Sequence, residues 1–253
     1  ALFPVRAPHV PGAVALDVRS LTPQVDGPTA SLVLRRGEIV GLGGLEGQGQ
    51  REIVRALAGV LRPAASDIFR TQADGHTVRF DPHDGVVRIV EQGVGLIPED
   101  RKLEGLYLEL PIMNNFWLGG YRGMGLMRKA PHDRTVVETI AQRMQLRARD
   151  LAQEVGALSG GNQQKVVLAK MLARKPKVLL MDEPTRGIDV GTKAEIYRLI
   201  RELAAGGTTV IAVSSELPEL IGMSDRIIIM HEGQISGEVE AAVADDELLL
   251  TYC

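Results

Sequence analysis

At 253 residues, 45% hydrophobic and 24% charged, the chain can bury a full core, and its composition excludes disorder, a collagen-like repeat and a coiled coil. Lys and Arg number 29 against 32 Asp and Glu, a formal charge of −3 that supplies no overall basic field for nucleic acid, and 4% aromatic residues count against single-strand stacking platforms. Apolar runs such as Ile227–Met230 fall far short of the ~20 residues of a membrane helix, and the one cysteine, Cys253, excludes internal disulfides and cysteine metal sites, so a reducing, cytoplasmic setting is expected.

The opening Ala1–Gly12, with Pro4, Pro8, Pro11 and Gly12, reads as an extended linker, and a start at Ala1 rather than Met reads as a fragment or a trimmed chain. Short strand-type runs follow at Val14–Val18 and Ser31–Leu34. Glu38–Gly43 is a strand that enters a glycine cluster, and Arg51–Val60 then has helical spacing. Asp81-Pro82 opens a short helix ending at Gly93, before a strand at Val94–Ile97. From about 98 to 160 the alternation stops; with Pro111, Gly119-Gly120 and a helical run at Val136–Leu146, this stretch predicts a helical subdomain inserted into one domain spanning 13–253. The rhythm resumes with helix Asn162–Arg174, strand Val178–Met181, helix Thr192–Ala205 and strand Thr208–Val213. A hairpin closes the fold, Arg226–Met230 with Gln234–Val239, turning at Glu232-Gly233. Alternating βα units predict an α/β class with a largely parallel sheet.

Three motifs carry chemistry. In Gly44-Leu45-Glu46-Gly47-Gln48-Gly49-Gln50-Arg51 the glycines have the spacing of a phosphate-binding loop, between strand and helix, where backbone N–H groups close around phosphate oxygens. Two working residues are missing. Gln50 stands where a lysine would reach the outer phosphates, and Arg51, with donors only, stands where a hydroxyl would ligate Mg²⁺. The plain alternative is a turn that packs a helix on a strand. A dinucleotide reading fails, because Glu46 occupies the place of the third glycine.

Leu158-Ser159-Gly160-Gly161-Asn162 opens a helix and offers an anion N–H groups, a hydroxyl and the helix dipole; a serine N-cap without ligand is the alternative. The apolar run Val178–Met181 ends in Asp182-Glu183, whose side chains the pleat sends to different sides. One can hold Mg²⁺ through water while the other polarises an attacking water; a solvated turn is the alternative. The histidines at 9, 76, 83, 132 and 231 have no metal-ligand spacing, and Phe116-Trp117 reads as packing within the helical stretch.

In this order the motifs resemble those of ABC transporter nucleotide-binding domains, over about Leu16 to Glu238. The stretches LIPEDRKLEGL, LSGGNQQKV, MDEPTRGIDVG and VSSELPEL resemble the second, C-terminal half of the fused ATPases of bacterial monosaccharide importers of ribose, xylose or galactose type. The resemblance implies a P-loop ATPase core with an N-terminal β subdomain and helical insert, and ATP and Mg²⁺ as cofactors. It implies nucleotide contacts from Gly44, Gly47, Gly49, Gln50, Arg51, Ser159, Gly160, Gly161, Asn162 and Asp189, with Asp182 holding Mg²⁺ through water. Glu183 takes the general-base position, Glu99 the Q-loop glutamine and Ser215 the switch histidine.

The departures at Gln50, Arg51, Glu99 and Ser215, with no aromatic between Leu16 and Arg36 for adenine, all fall on the chain's own site. LSGG is intact. Since two domains of this family close head to tail, the pattern implies a half whose Ser159, Gly160 and Gly161 serve a partner's ATP, with Glu183 idle at home. The expected partners are an intact ATPase half, fused N-terminally, membrane permease subunits and, indirectly, a periplasmic or lipid-anchored sugar-binding protein, on the cytoplasmic face of the bacterial membrane. No nucleic acid is expected. A non-catalytic regulatory half, and a soluble ABC ATPase acting on ribosome or nucleic acid, are the rivals.

Overall fold

The computed structural model describes residues 2–4, 11–72, 74–118 and 130–252, with backbone alone at 130–133. The readings made for His9, Gly119-Gly120 and Cys253, and for most of 1–12, lie outside these residues. Hydrophobic alternation builds the first strands, β1 (Val14–Thr22) and β2 (Ala30–Arg35); in β2, Ala30, Leu32 and Leu34 point inward and Ser31, Val33 and Arg35 outward. Then follow β3 (Ile39–Gly43), β4 (Ala65–Thr71), β5 (Thr77–Arg79), β6 (Val94–Ile97), β7 (Val178–Asp182), β8 (Thr209–Val213), β9 (Arg226–His231) and β10 (Gln234–Glu240). They form an antiparallel sheet in the order β2-β1-β4-β5 and a second sheet in the order β10-β9-β3-β8-β7-β6. Within the second, β9-β3-β8-β7-β6 are parallel and β10 closes the edge antiparallel to β9. Strands β3, β7 and β8 are buried at every position, as continuous apolar runs covered on both faces must be.

Helix α1 (Gln50–Leu57) follows the glycine loop and lies between the sheets. Its Ile53, Val54 and Leu57 share one cluster with Leu16 and Leu34 of the antiparallel sheet and Leu42 and Ile211 of the parallel one. Gly59, at φ 70°, ends the helical path, so α1 stops short of the expected Val60. The helix expected before Gly93 is split at Gly85 (φ 78°) into a 3₁₀ turn, Pro82–Asp84, and α2 (Gly85–Glu91). After β6 come a π turn at Arg101–Gly105, α3 (Ile112–Leu118), α4 (Ala130–Arg143) and α5 (Gly160–Leu172). Phe116 of α3 is buried in the main core, as packing predicts, and Trp117 is half-buried.

The chain ends through α6 (Val190–Ala205), α7 (Leu217–Met223) and α8 (Asp246–Leu250). The sequence pattern misses β4, β5, α7 and α8. In β4 only Ile68 is fully enclosed, so its run ASDIFRT lacks alternation; pairing with β1 is what makes it a strand. Near the N-terminus Phe3 stacks on Tyr197 of α6, centroids 4.9 Å apart, so this part of the expected linker is packed down.

Helix α5 buries Lys170, whose ammonium donates to the Gly105 carbonyl at 2.6 Å. Burial pushes its pKa down to about 8 from 10.5. Between those values the unfolded chain holds a proton that the folded chain does not, so this group makes stability rise with pH. Urea melts from pH 8 to 10 should show a more positive slope for wild type than for Lys170→Met; equal slopes would refute the assignment.

Candidate functional site

The loop between β3 and α1 turns on glycines in the left-handed region: Gly44 (φ 141°), Gly47 (φ 82°) and Gly49 (φ 99°). A Cβ at Gly44 would collide with the Gln50 amide and the Met230 carbonyl, so a side chain is excluded by space as well as by φ. Gly49 caps α1 with no side chain. Gln50 is buried, and its Nε2 donates to Leu45 O at 3.1 Å, which spends the amide on holding the loop itself. Gly233 N donates to Gln48 O at 3.0 Å and anchors the loop to the β9–β10 turn. The cleft alongside is lined by Pro23, Gln24, Pro28, Gln48 and Gly233, without an aromatic ring.

Arg51, one residue into α1, points at the end of β7. Its Nε donates to Asp182 at 3.2 Å and its Nη2 to Glu99, whose other oxygen accepts from Arg186 Nη1. Asp182 is wholly buried; desolvation raises its carboxyl pKa, and the Arg51 charge and hydrogen bond oppose that rise. Where the sequence predicts Asp182 facing Mg²⁺ through water, the structure places a guanidinium against it.

Asp182 and Glu183 diverge, but not through the pleat that the sequence suggests: β7 ends at Asp182, and Glu183 lies beyond it in the left-handed region. Glu183, at φ 48°, accepts from Ser215 N at 2.6 Å; burial raises its pKa and that hydrogen bond opposes the rise. Behind this pair lies Glu219 of α7, a residue the sequence reading passes over. It is buried and accepts from Thr185 Oγ1 (2.6 Å), Ser214 Oγ (2.9 Å) and Tyr197 OH, with Lys193 Nζ at 2.6 Å. These donors come from the turn after β7, the end of β8 and α6, so one carboxylate ties the turn after Glu183 to the loop that carries Ser215. The only local signal was an acid within SSELPEL, which says nothing about burial.

The Ser-Gly-Gly turn caps α5: Ser159 Oγ accepts from Asn162 N at 3.4 Å and Asn162 Nδ2 at 2.9 Å. Ser159 is exposed. Asp189 caps α6, accepting from Thr192 N at 3.0 Å and Thr192 Oγ1 at 2.8 Å, which holds its carboxyl below the ordinary range. The two caps adjoin, since a Cβ at Gly161 would meet Thr192 at 2.9 Å. Gly160 faces Arg101, whose Nη1 donates to Arg186 O at 3.2 Å. The structure thus gathers the predicted residues into a loop set (Gly44–Arg51 with Glu99, Asp182), a Glu183–Ser215 pair, and a cap set (Ser159–Asn162 with Asp189), with Arg101 and Arg186 between the first and the last.

A glycine loop between a central parallel strand and a helix, facing carboxylates at the end of a nearby strand, defines a P-loop α/β nucleotide-binding domain. The ABC transporter family model matches residues 29–186. The chain is 42% identical over 248 residues to ribose import ATP-binding protein RbsA 2 of Rubrobacter xylanophilus, covering 97% of this chain and 46% of that protein. It is 43% identical over 247 residues to arabinose import ATP-binding protein AraG 2 of Burkholderia thailandensis, covering 96% and 46%. The fold matches a nucleotide-free ATP-binding cassette from an ABC transporter with a TM-score of 0.76 at 17% identity, covering 94% of this chain and 96% of the other. The chain belongs to the ABC transporter family. It spans about half the length of the curated relatives it matches.

Proposed function

We propose that this chain is one ATP-binding half of a sugar-import ABC ATPase, the second half of a fused pair, and that its signature turn acts on ATP held by the partner half. The observation that carries this is the contrast between the two motif sets. In the cap set Ser159 is exposed at the N-terminus of α5, and Gly160 faces the Arg101 guanidinium, a cation beside which a phosphate can sit, while Gly161 packs on Thr192. In the loop set, Gln50 is tied to Leu45 and Arg51 to Asp182 and Glu99. The N–H groups and the Ser159 hydroxyl stabilise charge on the transferred phosphoryl without joining in proton transfer. Gly44, Gly47 and Gly49 contribute backbone donors to the chain's own weaker site, and Asp189 and Asn162 hold the cap set in shape.

The names of the relatives, ribose and arabinose import proteins, support a monosaccharide as cargo, and the half-length match supports fusion to another half. The hydrophobic residues Leu103, Tyr107 and Leu118 are exposed in the segment from 98 to 160, read here as an insert, and offer a permease loop its seat. Among the described residues no helix is long and apolar enough to cross a membrane. The names of the import relatives support attachment through permease subunits at the cytoplasmic face, with a sugar-binding protein beyond them. A non-catalytic regulatory half, which shapes the assembly without adding to turnover, is the second reading, and the Arg51–Asp182 pair in its own site supports it.

Calorimetry tests the altered loop. Losing the charge-assisted contact at position 50 removes ~1.5–3 kcal/mol, so the chain should bind Mg-ATP roughly 10- to 100-fold more weakly than an intact cassette. Micromolar affinity for the chain alone would overturn this part of the reading. Phosphate release should appear only when an intact half is added.

A further inference from the structure

We propose that Arg51 is a built-in cation that takes the place of a divalent metal ion in this chain's own phosphate site, so that the site holds no Mg²⁺. The proposal rests on reading Gly44–Arg51 as a phosphate loop and goes beyond the import function, which leaves the metal content of this loop open.

The residues present do not fit a metal. Mg²⁺ takes oxygen ligands at about 2.0–2.1 Å in near-octahedral geometry and keeps several of its waters. Here a guanidinium, which has donors only, lies against both acids that face the loop, with Nε 3.2 Å from Asp182 and Nη2 on Glu99. Arg186 covers the second oxygen of Glu99. Two carboxylates thus meet two guanidinium groups, and no net negative charge is left to draw in a dication. Arg55 and its partner Glu104 both act on Asp182 with opposite signs, so this pair leaves that balance unchanged. One buried oxygen, Asp182 Oδ1, accepts no hydrogen bond, but a single oxygen facing a guanidinium is not a ligand set. Among the described residues no group of three His, Cys, Asp or Glu side chains is placed to hold a metal.

Arg51 cannot leave as Mg²⁺ can. It stands one residue into α1, whose Ile53, Val54 and Leu57 are locked between the sheets, and Asp182 ends a central strand. Charge that a metalled site gains and loses with nucleotide is therefore permanent here. The ligand chemistry left to the loop is a bare phosphate anion.

Mn²⁺ titration of the full chain, followed by the loss of the free-ion electron paramagnetic resonance signal, tests this. Wild type should take up no Mn²⁺ that Asp182→Asn abolishes. Arg51→Ser, which frees Asp182 and one oxygen of Glu99 while the other stays on Arg186, and which supplies a hydroxyl, should bind one Mn²⁺ at least about tenfold more tightly than wild type, and Arg51→Lys should not. Mn²⁺ should raise the melting temperature of Arg51→Ser and leave that of wild type unchanged. If Arg51→Ser does not fold, Arg51→Gln replaces it with the same expectation. Mn²⁺ bound by wild type and lost in Asp182→Asn would overturn the proposal. So would folded Arg51→Ser or Arg51→Gln with no gain in Mn²⁺ affinity. Either failure leaves the import reading and the signature role intact, because neither depends on a metal in this loop.

Discussion

Gly160→Asp should cut phosphate release by the assembled two-half ATPase about 10²–10³-fold, whereas Glu183→Gln should change it less than about tenfold. In the proposed reading the two positions serve different sites. Gly160 is the first residue of α5, where backbone N–H groups point outward, and its Cα faces Arg101 Nη2, which a Cβ would approach to 2.9 Å. An aspartate there brings a carboxylate to the surface that a phosphate must reach, where it blocks close approach and repels the anion. Acids are well tolerated at helix N-termini, so the variant should fold and the loss should be one of turnover. In the proposed reading Glu183 serves only the chain's own site. It accepts from Ser215 N rather than facing an imidazole, and the neighbouring acids are paired with Arg51 and Arg186. A working general base contributes about 10²–10⁴ in rate, and here that contribution should be largely missing. Steady-state phosphate release from the assembly bearing each change decides the matter. Equal damage from both would mean that both sites hydrolyse, and the asymmetric reading would go. No effect from either would favour the non-catalytic half.

Glu219→Ala should cost about 3–5 kcal/mol of folding stability, a large part of the ~5–15 kcal/mol that domains possess. Glu219 is 3% exposed, and removing its carboxylate takes the acceptor from the buried Thr185 and Ser214 hydroxyls and the Tyr197 phenol at once and leaves the Lys193 ammonium with Glu216 alone. Burial acts to raise the Glu219 pKa, but the hydrogen bonds from Lys193, Thr185, Tyr197 and Ser214 outweigh it and hold the carboxyl below its ordinary value. The sign follows. Its stabilisation is complete above the carboxylate pKa of the unfolded chain and is lost as pH falls through the lower folded value. Urea melts at neutral and acid pH should therefore show wild type losing more stability in acid than Glu219→Gln does. A cost below about 1 kcal/mol for Glu219→Ala, or matching acid losses, would show that the network is peripheral.

Much of the architecture was legible because it is written in short-range periodicity. The runs IVGLG, VLLMD and TVIAV are apolar at nearly every step and became the fully buried strands β3, β7 and β8. The glycines at 44, 47 and 49 are each at positive φ and Ser159 caps a helix, so these turns were readable residue by residue, whereas Asp189, expected as a nucleotide contact, is spent on capping α6. What stayed hidden depends on neighbours far along the chain. Strand β4 has no alternation of its own and exists through β1, and Glu219 looks like any surface acid until α7 folds onto α6 and β8. The pairing of Arg51 with Glu99 and Asp182 spans 48 and 131 residues, and Arg186 reaches Glu99 across 87. Propensity and spacing act over a few residues, whereas an ion pair forms wherever strand order brings two charges within reach. The order β3-β8-β7-β6, which no local pattern encodes, is what carries Asp182 and Glu99 to the start of α1 and turns a missing hydroxyl into a bound guanidinium.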